Sequence, residues 1–265
     1  MRETLKKILP TPIRRVAGEM FLATKLKMSK EENLVEIEGI TARFKIHNRS
    51  DVYRLHDNFE GKYAKKIIES FKKLGTKGKI VNVGAAQGFY AVFSALAGND
   101  VTAIEPDPEN YAFLKKNALI NNLKIKLHPI ALSKNHGHSK FFVSSMKILS
   151  SINPIKGARE IDVLVSTLDR VLDGQQTGRT LIKIDVEGAE LDVLKGAEET
   201  MKGEVSLIME VHPQHVKLQD IETHLQNRGF STNVRRGVKR SFPHILTAHK
   251  INPCQLPVPE GNIKN

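Results

Sequence analysis

The stretch Lys79-Ile-Val-Asn-Val-Gly-Ala-Ala-Gln-Gly-Phe-Tyr-Ala-Val-Phe93 decides how this 265-residue chain folds. Ile80–Val83 is a short apolar run of the buried-strand kind, it breaks at Gly84-Ala85-Ala86-Gln87-Gly88, and Phe89-Tyr90-Ala91 opens a helix. Small residues at such a turn let the backbone come close to a ligand, and the helix N-terminus offers N–H groups to its polar part. The next apolar run, Val101–Ile104, ends at Glu105, 21 residues past Gly84, where an acidic side chain can take both hydroxyls of a ribose. Pro106-Asp107-Pro108 then stops the strand and caps a helix. Together these features point to an adenosine-containing cofactor. A dinucleotide site would read G-x-G-x-x-G, whereas the spacing here is G-x-x-x-G with Ala86 inside it, and no Walker lysine follows. A glycine turn and a ribose-binding acid without a pyrophosphate clamp are what S-adenosylmethionine requires. Gly84, Ala85, Gln87, Gly88 and Phe89, with Glu105 and Pro106, are the expected cofactor contacts.

Outward from this unit the same texture repeats. Ile125–Leu127, Thr180–Ile184 and Val205–Val211 read as further buried parallel strands, with helices starting near Asp107, Glu187 and Val216. The alternation predicts a doubly wound α/β sheet with its ligands at the carboxyl ends of the strands. Phe141–Val143 and Ile161–Val165 read as extra strands covering one edge, and Phe230–Val234 with Ile245–His249 as a terminal antiparallel pair. Upstream, residues 13–28 carry a helical apolar stripe, Leu34–Ile37 and Thr41–Ile46 alternate about Gly39 as a hairpin, and Phe59, Tyr63, Ile67, Phe71 and Leu74 mark one face of a helix. The expected divisions are an α+β extension over 1–78, a cofactor-binding domain over 79–250 and a loose tail over 251–265.

Composition removes several classes. With 40% apolar and 26% charged residues the chain is a globular protein and not a disordered one. A single cysteine, Cys254, excludes an internal disulfide, and no Cys/His spacing suits a structural zinc. The longest apolar run is Phe89–Phe93 and the first residues lack a signal-peptide core, so the expected address is cytoplasmic. The net charge of +12 is unevenly spread: residues 1–79 hold 19 Lys/Arg against 10 Asp/Glu, residues 80–230 hold 16 against 18, and residues 231–265 hold 6 against 1. Basic flanks suit an anionic membrane surface, a pyrophosphate-linked substrate or RNA phosphates. The expectation drawn from Arg14, Arg15, Lys25 and Lys27 is peripheral contact with an anionic membrane.

Ile182-Lys-Ile-Asp-Val-Glu-Gly-Ala-Glu190 resembles the signature of the FkbM-type methyltransferases. Val83-Gly84 with Gly88-Phe89-Tyr90, Ile104-Glu105-Pro106, Ala131-Leu132-Ser133, Thr167-Leu168-Asp169 and Met209-Glu210-Val211-His212 match in the family's order, over roughly residues 50–250. The resemblance implies a class I, Rossmann-like methyltransferase with a mostly parallel seven-stranded sheet. It also implies S-adenosylmethionine as cofactor, with Ala131 and Leu132 among its contacts, and O-methylation of a hydroxyl on a sugar, glycan or glycoconjugate. One position departs: the family usually carries Asp where this chain has Asn82, so the charge that would face the cofactor's ammonium is lost.

Asp185 ends a strand and Glu187 opens the following helix, which places both carboxylates at the sheet's carboxyl edge. Glu210 and His212 lie two apart on a strand and share a face, so Glu210 can orient His212 as the general base. These four are the expected catalytic residues. Asp185, Glu210 and His212 are alternatively the ligands of one Mg²⁺. Two rival readings stand beside the glycan enzyme. An RNA methyltransferase is suggested by the basic flanks, but aromatic residues for base stacking make up only 6% of the chain. A cofactor-binding protein with a decayed site is suggested by Asn82.

Overall fold

Strands buried on both faces must pair with one another, and here they build one sheet. The computed structural model describes residues 33–45, 65, 67–72, 78–144, 150–173, 178–237 and 243–250. Its main sheet comprises β3 (Lys79–Val83), β4 (Asp100–Ile104), β5 (Lys126–His128), β9 (Thr180–Ile184), β10 (Val205–Val211), β11 (Phe230–Arg235) and β12 (His244–Lys250), in the order β11-β12-β10-β9-β3-β4-β5. The first five named are parallel, and β12 runs antiparallel to both β10 and β11. This is the doubly wound, seven-stranded α/β sheet expected of a class I methyltransferase. The chain starts at β3 in the middle, winds out to β5, and returns to β9 on the other side. The crevice outside the carboxyl ends of β3 and β9 is therefore a topological switch point.

Two apolar clusters cover the two faces. One holds Val81, Ile182 and Leu207 of the sheet against α3 (Leu168–Leu172), α4 (Glu190–Lys195) and α5 (Leu218–Gln226). The other holds Ile80, Leu181 and Ile208 against α1 (Phe89–Leu96), Leu114 of α2 (Pro108–Ile120) and residues 67, 68 and 71 of a helical segment.

The upstream hairpin forms as the alternation predicts. β1 (Asn33–Ile37) and β2 (Ile40–Phe44) bury Val35, Ile37, Ala42 and Phe44 on one face. That face joins the second cluster, with the Phe44 ring 5.7 Å from Phe89 and 5.9 Å from Phe93. Packing is thus continuous across residue 78, where the sequence suggests a boundary. The expected helix at 13–28 and the tail 251–265 lie outside the described residues.

Phe141–Val143 and Ile161–Val165 do not lie along an edge of the main sheet, as expected from their sequence. They belong to β7 (Gly137–Val143) and β8 (Arg159–Ser166), which form a separate three-stranded sheet with β6 (Ala131–Leu132), in the order β6-β8-β7. The reason is a core of their own, with Ala131, Phe141, Val143, Val163 and Val165 buried together. Thr167 caps α3, and Asp169 accepts from Glu199 N, Thr200 N and Thr200 Oγ1, which ties the first turn of α3 to the segment before β10. Among the described residues no helix is long and apolar enough to cross a membrane.

Because Phe44 is fully buried in the shared cluster, Phe44→Ala should cost about 3–5 kcal/mol. A urea melt should show one transition at a lower midpoint. A separate early transition would show that the hairpin is an independent unit.

Candidate active site

The turn after β3 is held from three sides. Gly84 has φ +75, and a Cβ there would sit 1.8 Å from the Asp185 carbonyl oxygen, so only glycine lets the ends of β3 and β9 meet. Gly88 has φ +91 and faces Leu114 Cδ1 at 2.6 Å from a would-be Cβ, which lets α2 close on the turn. Gly84 and Ala85 both donate to Ile104 O, and Gly88 donates to Ala85 O. Glu105 completes the hold: Oε2 accepts from Ala86 N at 2.7 Å and Oε1 from Asp107 N at 2.8 Å. It is only 5% exposed, and burial pushes its carboxyl up to about 7 against the pull of those two N–H groups. The Asn110 side chain also bonds this carboxylate, and a carboxylate has about four acceptor positions, so room is left for a ligand hydroxyl.

Asn82 lies on β3 in register with Lys183 of β9, hence on the same face, and it is buried. Both polar atoms of its side chain lack a hydrogen-bond partner among the described residues. An orphaned amide directly before a cradle of small residues fits a polar cofactor that completes it. The other expected contacts are placed less directly. Gln87 O accepts from Asn117 Nδ2 at 2.8 Å, Phe89 packs edge-on with Tyr90, and Pro106 lies in the link between β4 and α2. Ala131 and Leu132 are buried in β6, each within an apolar cluster.

Across the crevice a chain of charges is built on the ends of β9 and β10. Lys183 is fully buried in the middle of the central strand, with its ammonium 3.1 Å from Asp185 Oδ2, 3.7 Å from Glu210 Oε1 and 4.7 Å from the Tyr90 ring centre. Burial opposes its charge, but the fields of Asp185 and Glu210 outweigh burial and hold it protonated. Asp185 is held below the usual carboxylate range: burial alone would raise it, and Lys183 and His212 overcome that. Glu210 is pushed up to about 7, chiefly by burial and then by the Asp185 charge.

His212 stands between two other carboxylates. Its Nδ1 is 2.7 Å from Glu190 Oε1 and its Nε2 is 3.2 Å from Glu187 Oε2. Burial disfavours the charged ring, yet the bonds to Glu187 and Glu190 carry it up to about 11. Three expectations are corrected here. Glu190, not Glu210, orients His212, because Glu210 turns to Lys183. Both ring nitrogens of His212 face carboxylates, an arrangement that favours the protonated ring over the neutral base expected from the sequence. Finally, Glu187 does not open the helix: it adopts φ 52 and α4 starts at Glu190, so Glu187 sits in a left-handed turn that aims it back at His212.

The expected Mg²⁺ ligands Asp185, Glu210 and His212 are only partly brought together. Asp185, Glu187 and His212 bring ligand atoms within 4.8 Å of one another, with Glu210 outside the set. A metal there would need His212 neutral, so its binding would release any proton held between the ring and Glu187.

Sequence reasoning missed Lys183, Tyr90, Ser151 and Asn153. Lys183 was findable as the one charge in the buried strand Thr-Leu-Ile-Lys-Ile. Ser151 Oγ donates to Glu187 O at 2.7 Å and Asn153 Nδ2 to the same atom at 3.5 Å, fixing the left-handed turn. Nothing in their spacing announces that contact.

The model of the methyltransferase FkbM domain matches residues 82–232, more than half of the chain. The chain belongs to the FkbM methyltransferase family. It is 24% identical over 222 residues to the hexuronic acid methyltransferase AglP of Haloferax volcanii, covering 82% of this chain and 89% of that one. Among solved structures it is similar to the magnesium protoporphyrin IX methyltransferase of Synechocystis PCC 6803 with bound SAM, at 12% identity and TM-score 0.46, covering 78% of this chain and 85% of that one. It is also similar to the Pyrococcus abyssi tRNA (uracil-54, C5)-methyltransferase in complex with S-adenosyl-L-homocysteine, at 10% identity and TM-score 0.46, covering 84% and 44%. The protein is a methyltransferase with a Rossmann-like fold.

The charge state of His212 is directly measurable in this family member. Its imidazole nitrogens should show the protonated shift throughout pH 6–9 by NMR, unlike His128, which burial lowers from its ordinary 6.5. Glu190→Gln should bring the His212 titration down towards neutrality, whereas an unchanged profile would mean that Glu190 does not hold the ring.

Proposed function

We propose that this enzyme transfers a methyl group from S-adenosylmethionine to a hydroxyl of a sugar, glycan or glycoconjugate. The observation that carries the reading is Glu210, a half-buried carboxylate 3.7 Å from the Lys183 ammonium at the carboxyl end of β10, pushed up to about 7 and across the switch point from the Gly84–Gly88 turn. A base tuned to the working pH is what removal of a hydroxyl proton needs. The family membership supports methyl transfer, and the Haloferax relative, named for a hexuronic acid, supports a sugar acceptor.

Residues of the two halves divide the work. Glu105 would receive the ribose hydroxyls, Asn82 the polar amino-acid end, and the Gly84–Gly88 turn would lie along the cofactor between them. The bound cofactor supplies an electrophilic methyl on a sulfonium. Asp185, kept ionised by Lys183, orients the acceptor hydroxyl, and Glu210 takes its proton as the C–S bond breaks and the new C–O bond forms. Lys183 holds Asp185 and Glu210 in place and spreads the charge between them. His212, held by Glu190 at Nδ1, keeps Glu187 in place through Nε2. Transfer is an in-line displacement, so this alignment supplies much of the rate.

If Glu210 is the base, kcat/KM should rise with pH through about 7 and level off above it, as the carboxyl loses its proton. Glu210→Gln should lower turnover by about 10²–10⁴ while leaving cofactor affinity within about twofold. A profile flat from pH 6 to 9 would remove Glu210 from that role. For the cofactor half, Glu105→Ala should weaken S-adenosylmethionine binding by a charge-assisted contact of about 1.5–3 kcal/mol, read by calorimetry on the folded variant. Labelled cofactor incubated with a cell extract fractionated into glycan, RNA and protein tests the acceptor class: label in the glycan fraction supports the reading, and label confined to RNA overturns it.

A further inference from the structure

Helix α2 touches the cofactor turn in two ways, and only one of them is packing. Leu114 presses on Gly88, and one turn later Asn117, with no exposed surface, donates from Nδ2 to Gln87 O at 2.8 Å. The same Nδ2 donates to Lys45 O at 3.0 Å, and Oδ1 accepts from Lys45 N at 2.7 Å. Asn117 therefore satisfies both backbone groups of the residue just past β2 as a neighbouring strand would, and it spends its remaining donor on the cofactor turn. Asn121, four residues on, repeats the hairpin half of the pattern: its Oδ1 accepts from Arg43 N at 2.8 Å and its Nδ2 donates to Arg43 O at 2.7 Å. Its other bond goes to Asn117 O within α2, and it makes none to the cofactor turn.

We propose that Asn117 is a positioning residue that fixes the Gly84–Gly88 turn in its cofactor-binding form and couples the docking of the N-terminal hairpin to it. The proposal rests on the reading of this turn as the S-adenosylmethionine site. The hold works on the carbonyl side of the turn. Glu105 pulls on Ala86 N from β4 while Asn117 pulls on Gln87 O from α2, so two consecutive residues are fixed from opposite walls. A turn with left-handed residues at Gly84, Ala86 and Gly88 has few internal bonds to keep it in that shape, which is why outside anchors matter. The hairpin enters because the amide that grips Gln87 is itself oriented by Lys45. Undocking β2 would release Asn117 to rotate, and the turn with it.

The pair of asparagines supplies the control. Asn117→Ala and Asn121→Ala each remove two bonds to the hairpin, and only Asn117→Ala removes the bond to the cofactor turn. Calorimetric titration with S-adenosylmethionine should show binding at least tenfold weaker for Asn117→Ala and within twofold of the parent for Asn121→Ala, although both melt at lower temperature. Asn117→Asp keeps an acceptor for Lys45 N and loses the donor to Gln87 O, so it should also lose affinity and serves if the alanine variant does not fold. Hydrogen exchange at the amides of residues 84–88 should quicken in the Asn117 variants and not in Asn121→Ala. Equal affinity loss in the Asn117 and Asn121 variants would make the effect one of general stability and overturn the proposal. So would unchanged affinity in both. Glu105→Ala is run alongside: if it leaves binding unchanged, the turn is not the cofactor site and the proposal falls with that reading. If Glu105→Ala weakens binding and Asn117→Asp does not, the positioning role alone is wrong.

Discussion

A lysine ammonium buried on the central strand is the constraint around which the catalytic half is built. Moving an ion of that size out of water costs several kcal/mol unless partners replace its hydration. Lys183 finds them in Asp185, two residues along its own strand, and in Glu210 on the next one, with the Tyr90 ring closing a further side. The consequences run outward from there. Asp185 must stay ionised to serve Lys183, its charge helps to push Glu210 up, and Glu210 is thereby left near neutrality as an acceptor of protons. Glu210, turned inward to Lys183, is not the partner of His212, and Glu190 from the start of α4 takes that place.

The same constraint explains why an amide is tolerable at position 82. Asn82 is in register with Lys183 and on its face of the sheet. An aspartate there would add a negative charge to the face of the sheet that carries Lys183, and each further negative charge raises the pKa of its carboxylate neighbours. With the amide, Asp185 and Glu210 keep Lys183 to themselves. The contacts of Lys183 with Asp185 and Glu210 are made with the amide at position 82.

How much of this was legible in the sequence follows the range of the interactions. The sheet was readable because each strand announces itself locally: Thr180–Ile184 and Val205–Val211 fall where their apolar runs put them, and the terminal pair forms within a residue of its expected ends. The edge expectation for β7 and β8 failed because an apolar stripe says that a strand is buried and does not say against which sheet. In the site, Asp185, Glu187, Glu210 and His212 were recognised as neighbours at one edge, but their pairing was not. A strand's two-residue period puts Glu210 and His212 on one face, yet which carboxylate reaches the imidazole depends on the left-handed backbone of Glu187, and that in turn on Ser151 and Asn153 from 34 to 36 residues upstream.

The glycines teach a related lesson about motifs. The sequence suggests that Gly84 and Gly88 make room for a ligand, and both are required before any ligand is considered, one by the Asp185 carbonyl and the other by Leu114. This does not argue against a cofactor. The close meeting of β3 and β9 at Gly84 brings Asp185, and with it the chain of charges to Glu210, beside the turn that Glu105 and Asn117 hold. Close packing at those two glycines is thus what sets the distance between the half of the crevice suited to a nucleoside and the half suited to removing a proton. For an in-line displacement that distance matters more than the strength of any single contact.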